Sequence, residues 1–218
     1  MPRDPVVYAV DDDTDFLSSL KMLLEAAGFH VKTFPSAQQL IDTIDGEPRG
    51  CIVSDIRMPG MDGLELMLQL KERHQDMPTV FISGYADVEL AVKAMRQGAI
   101  DFIEKPVDEM ALIESVNRAL EASRSSWERV QAEGRVRSLI STLSNREKEV
   151  FALLAQGLQN AEVSHRLGIS IRTVEVHRAN IYRKLDVKNL AALVRFALLA
   201  GAVSPTDLFG APPGSSLT

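Results

Sequence analysis

The chain has 218 residues, 45% hydrophobic and 25% charged, as expected for one large or two small globular domains, each able to bury a core. No apolar run approaches the roughly 20 residues of a membrane span, and no signal-peptide pattern opens the chain, so a cytoplasmic protein without a membrane partner is expected. The net charge of −6 is uneven: residues 1–124 carry 22 acidic and 12 basic side chains (net −10), and residues 125–218 carry 8 and 12 (net +4), which suggests two domains with different partners.

In chain order, the first half alternates short β-branched runs with amphipathic stretches. Strands are predicted at Val6–Asp11, His30–Phe34, Cys51–Asp55, Thr79–Ser83 and Asp101–Lys105. Helices are predicted at Phe16–Ala27, Ala37–Ile44, Leu64–Arg73, Val88–Gln97 and Glu109–Leu120, with Gly28 and Gly98 as stops. Five βα repeats imply a doubly wound parallel sheet with helices on both faces. Cys51–Val53 and Val80–Ile82 are apolar without alternation, as strands covered on both faces should be. The single cysteine, Cys51, can form no internal disulfide and reads as a small buried hydrophobe in a reducing compartment.

From Glu121 to Ser141 the chain turns polar, with Trp127, Val130, Val136 and Leu139 at helical spacing and Gly134 between them. A helical linker and a flexible tether both fit. Residues 143–203 read as all helix. Ser144-Asn145-Arg146-Glu147 fits a capping box, Asn160 is expected to cap a short helix ending at Gly168, Ser170 a longer one through Leu185, and Leu190–Ala200 makes a fourth. The tail at 205–218, rich in proline, glycine and serine, is expected to be disordered.

In a doubly wound sheet, chemistry gathers at the carboxyl ends of the strands. Here those ends carry Asp11-Asp12, Asp55, Ser83 and Lys105. Two carboxylates about 4 Å apart repel by roughly 4 kcal/mol at an effective dielectric near 20; three would force protonation or demand a cation, and hard oxygen ligands suit Mg²⁺. Asp55 could then attack phosphorus, with Lys105 and the Ser83 hydroxyl on the phosphoryl oxygens. Taken singly, each residue has an ordinary use: helix cap, turn starter, solvated lysine, turn hydroxyl. Their shared sheet edge favours the chemical reading.

Val10-Asp11-Asp12-Asp13, Ser54-Asp55-Ile56-Arg57-Met58-Pro59-Gly60, Ile82-Ser83-Gly84 and Glu104-Lys105-Pro106 resemble the receiver domain of two-component response regulators. The resemblance implies a CheY-like fold with strand order 2-1-3-4-5, a phosphoacceptor at Asp55, and Mg²⁺ held by Asp11, Asp12, Asp55 and the Arg57 carbonyl. It also implies phosphoryl binding by Ser83 and Lys105, a cis bond at Lys105-Pro106, and a switch aromatic at Phe102, a position that an ordinary core Phe would fill equally well.

Asn160 to Leu185 has the helix-turn-helix outline, in which the second helix enters the major groove. Arg172, Arg178, Arg183, Lys184 and Lys188 would supply phosphate attraction, unless they are simply a solvated face. Leu143-Ser144-Asn145-Arg146-Glu147, Gly157-Leu158-Gln159-Asn160 and Thr173-Val174-Glu175-Val176-His177-Arg178-Ala179-Asn180 resemble the LuxR-type DNA-binding domain, and the last block its FixJ branch. That resemblance implies base-edge contacts by Glu175, Val176 and Ala179, with Thr173 in the same block. Ala161 stands where the family usually has a lysine, which removes a phosphate contact and makes a dimer with two reading helices the means of compensation. The implied domains are a receiver at 1–122, a linker at 123–141 and a DNA-binding domain at 142–204. The implied partners are a sensor histidine kinase, promoter DNA, RNA polymerase and a second copy of the chain.

Three rivals are weaker. An aspartyl phosphatase would want an acid two residues after its nucleophile, where Arg57 stands. A regulator switched by a hydrophobic ligand would want an aromatic-rich pocket, yet aromatics are 6% of the chain. A degenerate receiver would lack the intact carboxylate set. No enzymatic activity is expected.

Overall fold

The computed structural model describes residues 5–44, 46, 48–73, 75–84 and 88–202. The tail expected to be disordered, 205–218, lies outside the described residues. The chain divides into two compact units, Met1–Trp127 and Glu128–Thr218.

In the first unit five strands, β1 (Val6–Val10), β2 (His30–Phe34), β3 (Gly50–Asp55), β4 (Thr79–Ser83) and β5 (Asp101–Glu104), alternate with helices. The helices are α1 (Thr14–Ala26), α2 (Ala37–Thr43), α3 (Gly63–Glu72), α4 (Val88–Gln97) and α5 (Glu109–Ser141). All pairings are parallel, as expected from five βα repeats, and the strand order is 2-1-3-4-5, as the resemblance to receiver domains implies. Side chains alternate across the sheet. Val7, Ala9, Cys51, Val53, Val80 and Ile82 pack with Leu17, Leu20 and Leu24 of α1 and Leu112, Val116 and Ala119 of α5. Val10 and Ile52 face Leu40 and Ile41 of α2 and Leu66 and Leu70 of α3, while Phe81 joins Met67 and Ala94. Both faces are therefore apolar, which is why β3 and β4 show no polar alternation. Cys51 lies in this core, where burial pushes its thiol up to about 12.

The helix predicted to end at Leu120 runs on to Ser141, so the polar stretch is helical throughout. Two contacts tie its continuation to the first unit. The Gly50 N–H donates to Ser123 Oγ at 3.2 Å, and the Arg49 guanidinium lies 3.2 Å from the centre of the Trp127 ring. Both contacts fall within the compact unit Met1–Trp127.

The second unit contains α6 (Asn145–Ala155), α7 (Asn160–Leu167), α8 (Ile171–Leu185) and α9 (Leu190–Leu199). They share a core of Val150, Phe151, Leu154, Val163, Val174, Ile181, Leu185 and Leu193, joined by Leu143 from the turn after α5. Ser144 caps α6 in a reciprocal box: its Oγ accepts from the Glu147 N–H at 3.3 Å, and its own N–H donates to Glu147 Oε2 at 2.7 Å. Asn160 is not the cap of α7 but its first residue. The preceding Gln159 holds that place, its N–H donating to Glu162 Oε2 at 2.7 Å. Gly168 closes α7 in the left-handed region, φ 64°, which allows the tight turn into the Ser170 cap of α8. Among the described residues no helix is long and apolar enough to cross a membrane.

Candidate functional site

Strand order 2-1-3 reverses the direction of winding between β1 and β3, opening a crevice at their carboxyl ends. Register then places the residues. Val10 pairs with Ser54, so the next residues along, Asp11 and Asp55, stand side by side. The Lys105 N–H donates to the Ser83 carbonyl at 2.7 Å, which ties the end of β5 to that of β4. The Lys105-Pro106 bond is cis.

Lys105 Nζ is the hub: it lies 2.8 Å from Asp11 Oδ2 and 3.0 Å from Asp55 Oδ1. Asp11 is 2% exposed, Asp55 8% and Ser83 1%. Asp55 Oδ2 accepts the Arg57 N–H at 2.7 Å, and Asp11 Oδ1 accepts the Asp13 N–H at 2.9 Å, so both carboxylates are fixed in orientation. Burial would weaken the Lys105 ammonium, but the hydrogen bonds it donates to Asp11 and Asp55 hold its pKa above the ordinary value. Burial raises the Asp11 carboxyl, outweighing the Lys105 bond. Gly63, at the start of α3, is required for close approach. A Cβ there would fall 2.4 Å from the Asp55 carbonyl oxygen and 3.1 Å from Ser54 Oγ.

Of the residues singled out by sequence, Asp11, Asp55 and Lys105 touch, and Ser83 shares their edge. Asp12 stands exposed beside them, and Phe102 is half-buried, beside Phe81 in the sheet and packed on the core cluster that contains it. Among the described residues no group of three or more His, Cys, Asp or Glu side chains forms a metal cage. The donor chemistry still fits a hard divalent cation. Two buried carboxylates share one ammonium, and Asp11 is under-compensated by it.

In the second unit, Val174, Ile181 and Leu185 turn α8 inward, while Arg172, Glu175, Val176, Ala179 and Arg183 are exposed at spacings that place them along the opposite face. Thr173 is tied to the cap, its Oγ1 lying 2.8 Å from Ser170 Oγ. Arg178 is half-buried, stacks over Tyr182 at 5.2 Å, and donates to Asn160 Oδ1 at 3.4 Å. Lys184 turns towards its own domain. Its Nζ lies 2.6 Å from Glu147 Oε2 and 3.3 Å from the Thr142 carbonyl. Sequence reading placed Lys184 among the phosphate contacts and gave Glu147, which is 5% exposed, a capping role alone. An acid at the third position of a capping box explained itself, and nothing local signals a partner 37 residues away.

Fold and site define a class: a receiver-type α/β domain with a carboxylate pair and lysine at its switch point, followed by a helix-turn-helix domain. Comparison with known proteins agrees. Residues 7–117 match the response regulator receiver domain, and residues 141–197 match the luxR family of bacterial regulatory proteins. The chain is 44% identical over 207 residues to the transcriptional regulatory protein FixJ of Azorhizobium caulinodans, covering 95% of this chain and 98% of that one. It is 37% identical to the response regulator TmoT of Ectopseudomonas mendocina, covering 88% of each. Among solved structures, a low-resolution structure of the response regulator StyR superposes with a TM-score of 0.80 at 39% identity, covering 89% of this chain and 98% of that one. Full-length FixJ from B. japonicum superposes with a TM-score of 0.55 at 37% identity, covering 93% and 100%. The chain belongs to the FixJ branch of two-component response regulators, a family of transcriptional regulators rather than enzymes.

Proposed function

We propose that Asp55 accepts a phosphoryl group from a sensor histidine kinase, and that the modified chain dimerises and binds promoter DNA to control transcription by RNA polymerase. The observation that carries this reading is the bridge from Lys105 Nζ to Asp11 and Asp55 at 2.8 and 3.0 Å. In the transfer, an Asp55 carboxylate oxygen forms the bond to phosphorus, the phosphorus–nitrogen bond to the donor histidine breaks, and the imidazole leaves with the electron pair. Lys105 neutralises the equatorial oxygens, and Ser83 donates its hydroxyl to one of them. Asp11, Asp12, Asp55 and the Arg57 carbonyl would hold Mg²⁺, which when bound would supply positive charge to offset that of the phosphoryl oxygens.

Once phosphorus is bonded to Asp55, Lys105 and Ser83 are drawn to it, and the α4–β5 face next to Phe102 repacks. Val88, Val92 and Met95, exposed by 75%, 45% and 47%, give α4 an apolar surface suited to a second copy. Residues 190–200 around α9 offer a second contact in the DNA-binding domain. Arg172, Arg178 and Arg183 serve phosphates, while Glu175, Val176 and Ala179 read bases. The receiver is assigned to residues 1–122 and the DNA-binding domain to 142–204, joined by the helical stretch 123–141.

The test is labelling of the full chain by acetyl phosphate with Mg²⁺, followed by footprinting on genomic fragments. Wild type should be labelled, dimerise and protect discrete sites, while Asp55→Asn should do none of these. Phosphate-dependent dimerisation retained in Asp55→Asn would refute the scheme.

A further inference from the structure

We propose that Phe16 is a positioning residue for Lys105, its ring face holding the ammonium between the two carboxylates. The inference rests on the reading of Asp55 as the phosphoacceptor. Lys105 Nζ lies 3.9 Å from the centre of the Phe16 ring while it contacts Asp11 at 2.8 Å and Asp55 at 3.0 Å. The ring is itself fixed. Asp13, the cap of α1, accepts the Phe16 N–H at 3.0 Å, and the Asp13 N–H donates to Asp11 Oδ1 at 2.9 Å. Phe16 also packs on the core beneath α1. The connections therefore close on themselves: Asp11 orients Asp13, Asp13 orients Phe16, and the Phe16 ring and Asp11 together hold Lys105.

The chemical reason for an aromatic is its quadrupole. An ammonium has more donor capacity than Asp11 and Asp55 use, and at an open crevice water would take the remainder and draw the flexible four-carbon arm outward. The negative face of the ring substitutes for that water without offering a competing hydrogen-bond acceptor. Charge that develops on phosphoryl oxygens near Asp55 then meets a cation already in place, so less reorganisation is needed during transfer. Leucine at the same position would fill similar space but present no such face.

The experiment is a double-mutant cycle on the full chain, reading the second-order rate of Asp55 phosphorylation by acetyl phosphate with Mg²⁺. A half-buried cation–π contact is worth about 1 kcal/mol, so Phe16→Leu should be about five-fold slower than wild type, whereas Phe16→Tyr should stay within about two-fold. In a Lys105→Met background, Phe16→Leu should cause no further loss, because its effect passes through the missing ammonium. Should that background prove too slow to follow, the order Phe, Tyr, Leu decides: tyrosine as slow as leucine overturns the proposal. An unchanged rate in Phe16→Leu, or an equal loss with and without Lys105, also overturns it and leaves Phe16 a packing residue. Failure of the phosphoacceptor reading looks different: wild type is then not labelled, or Asp55→Asn is labelled as well.

Discussion

Replacing Lys184 with methionine separates two roles for one ammonium. At 2.6 Å from Glu147, the pair attracts by roughly 6 kcal/mol at an effective dielectric near 20, most of which is offset by the desolvation of a carboxylate that is only 5% exposed. Removing the lysine strands that carboxylate on the Ser144 N–H. Stranding a buried charge costs about 3–5 kcal/mol, and because the Lys184 side chain is 34% exposed, water recovers part of it, leaving about 2 kcal/mol. Glu147→Gln should cost less, about 1 kcal/mol, because the amide oxygen can still accept the Ser144 N–H and the freed lysine reaches solvent. Urea unfolding of the full chain by far-UV circular dichroism, with hydrogen exchange of α8 amides to locate the loss, measures both. Anisotropy titrations on a footprinted fragment at several KCl concentrations supply the other axis. The plot of log K against log salt should keep its slope in Lys184→Met. A slope shallower by about 0.9, with stability unchanged, would mean that the lysine serves DNA phosphate and that the inward geometry is irrelevant in the complex.

The same pair sets an acid limit. Lys184 first, and the Ser144 N–H next, hold the Glu147 carboxyl below its ordinary value of 4.5, so its stabilisation is complete above that pH and disappears as pH falls through the lower folded value. Acid titration of wild type against Lys184→Met should show the two curves converging only below about pH 4.5. Gly63→Ala forces a Cβ to within 2.4 Å of the Asp55 carbonyl, so it should lower the first unit's stability by about 2 kcal/mol and slow acetyl phosphate labelling. A near-neutral thermal shift would contradict this. Arg49→Ala removes the cation over Trp127, the single tryptophan, so emission should shift to the red and hydrogen exchange should rise around Ser123. On α8, Arg172→Ala should weaken binding to all DNA sequences alike and reduce the salt slope by about 1. Glu175→Gln should instead relax preference at one base pair, by about 1–3 kcal/mol in selection experiments.

Much of this architecture is legible in the sequence, for reasons that differ by element. Cys51–Val53 and Val80–Ile82 announce central strands because both faces are covered, leaving only the parallel-sheet reading. Asp11, Asp55, Ser83 and Lys105 are legible as a group because parallel strands all deliver their carboxyl ends to one side. The end of α5 is not. After Leu120 the helix has little to bury, with Val130 43% exposed and Gly134 facing open space, so its apolar seam is too thin to distinguish helix from tether. Gln159 escaped notice as a cap because Asn is the commoner capping residue, whereas here the Gln159 N–H donates to the Glu162 carboxylate downstream. Long-range partners leave no local trace: Lys105 on Phe16 and Lys184 on Glu147 join segments whose own patterns were complete without them.

The depth of Cys51 makes the chain convenient for site-directed spectroscopy. Burial holds its thiol well above the ordinary cysteine range, so little nucleophilic thiolate forms near neutral pH, and the residue is fully buried in the sheet. Maleimide or nitroxide reagents will therefore find an engineered cysteine, at exposed Val176 for example, in an otherwise native background, so distances between two copies on DNA can be read without first deleting the natural thiol from the sheet.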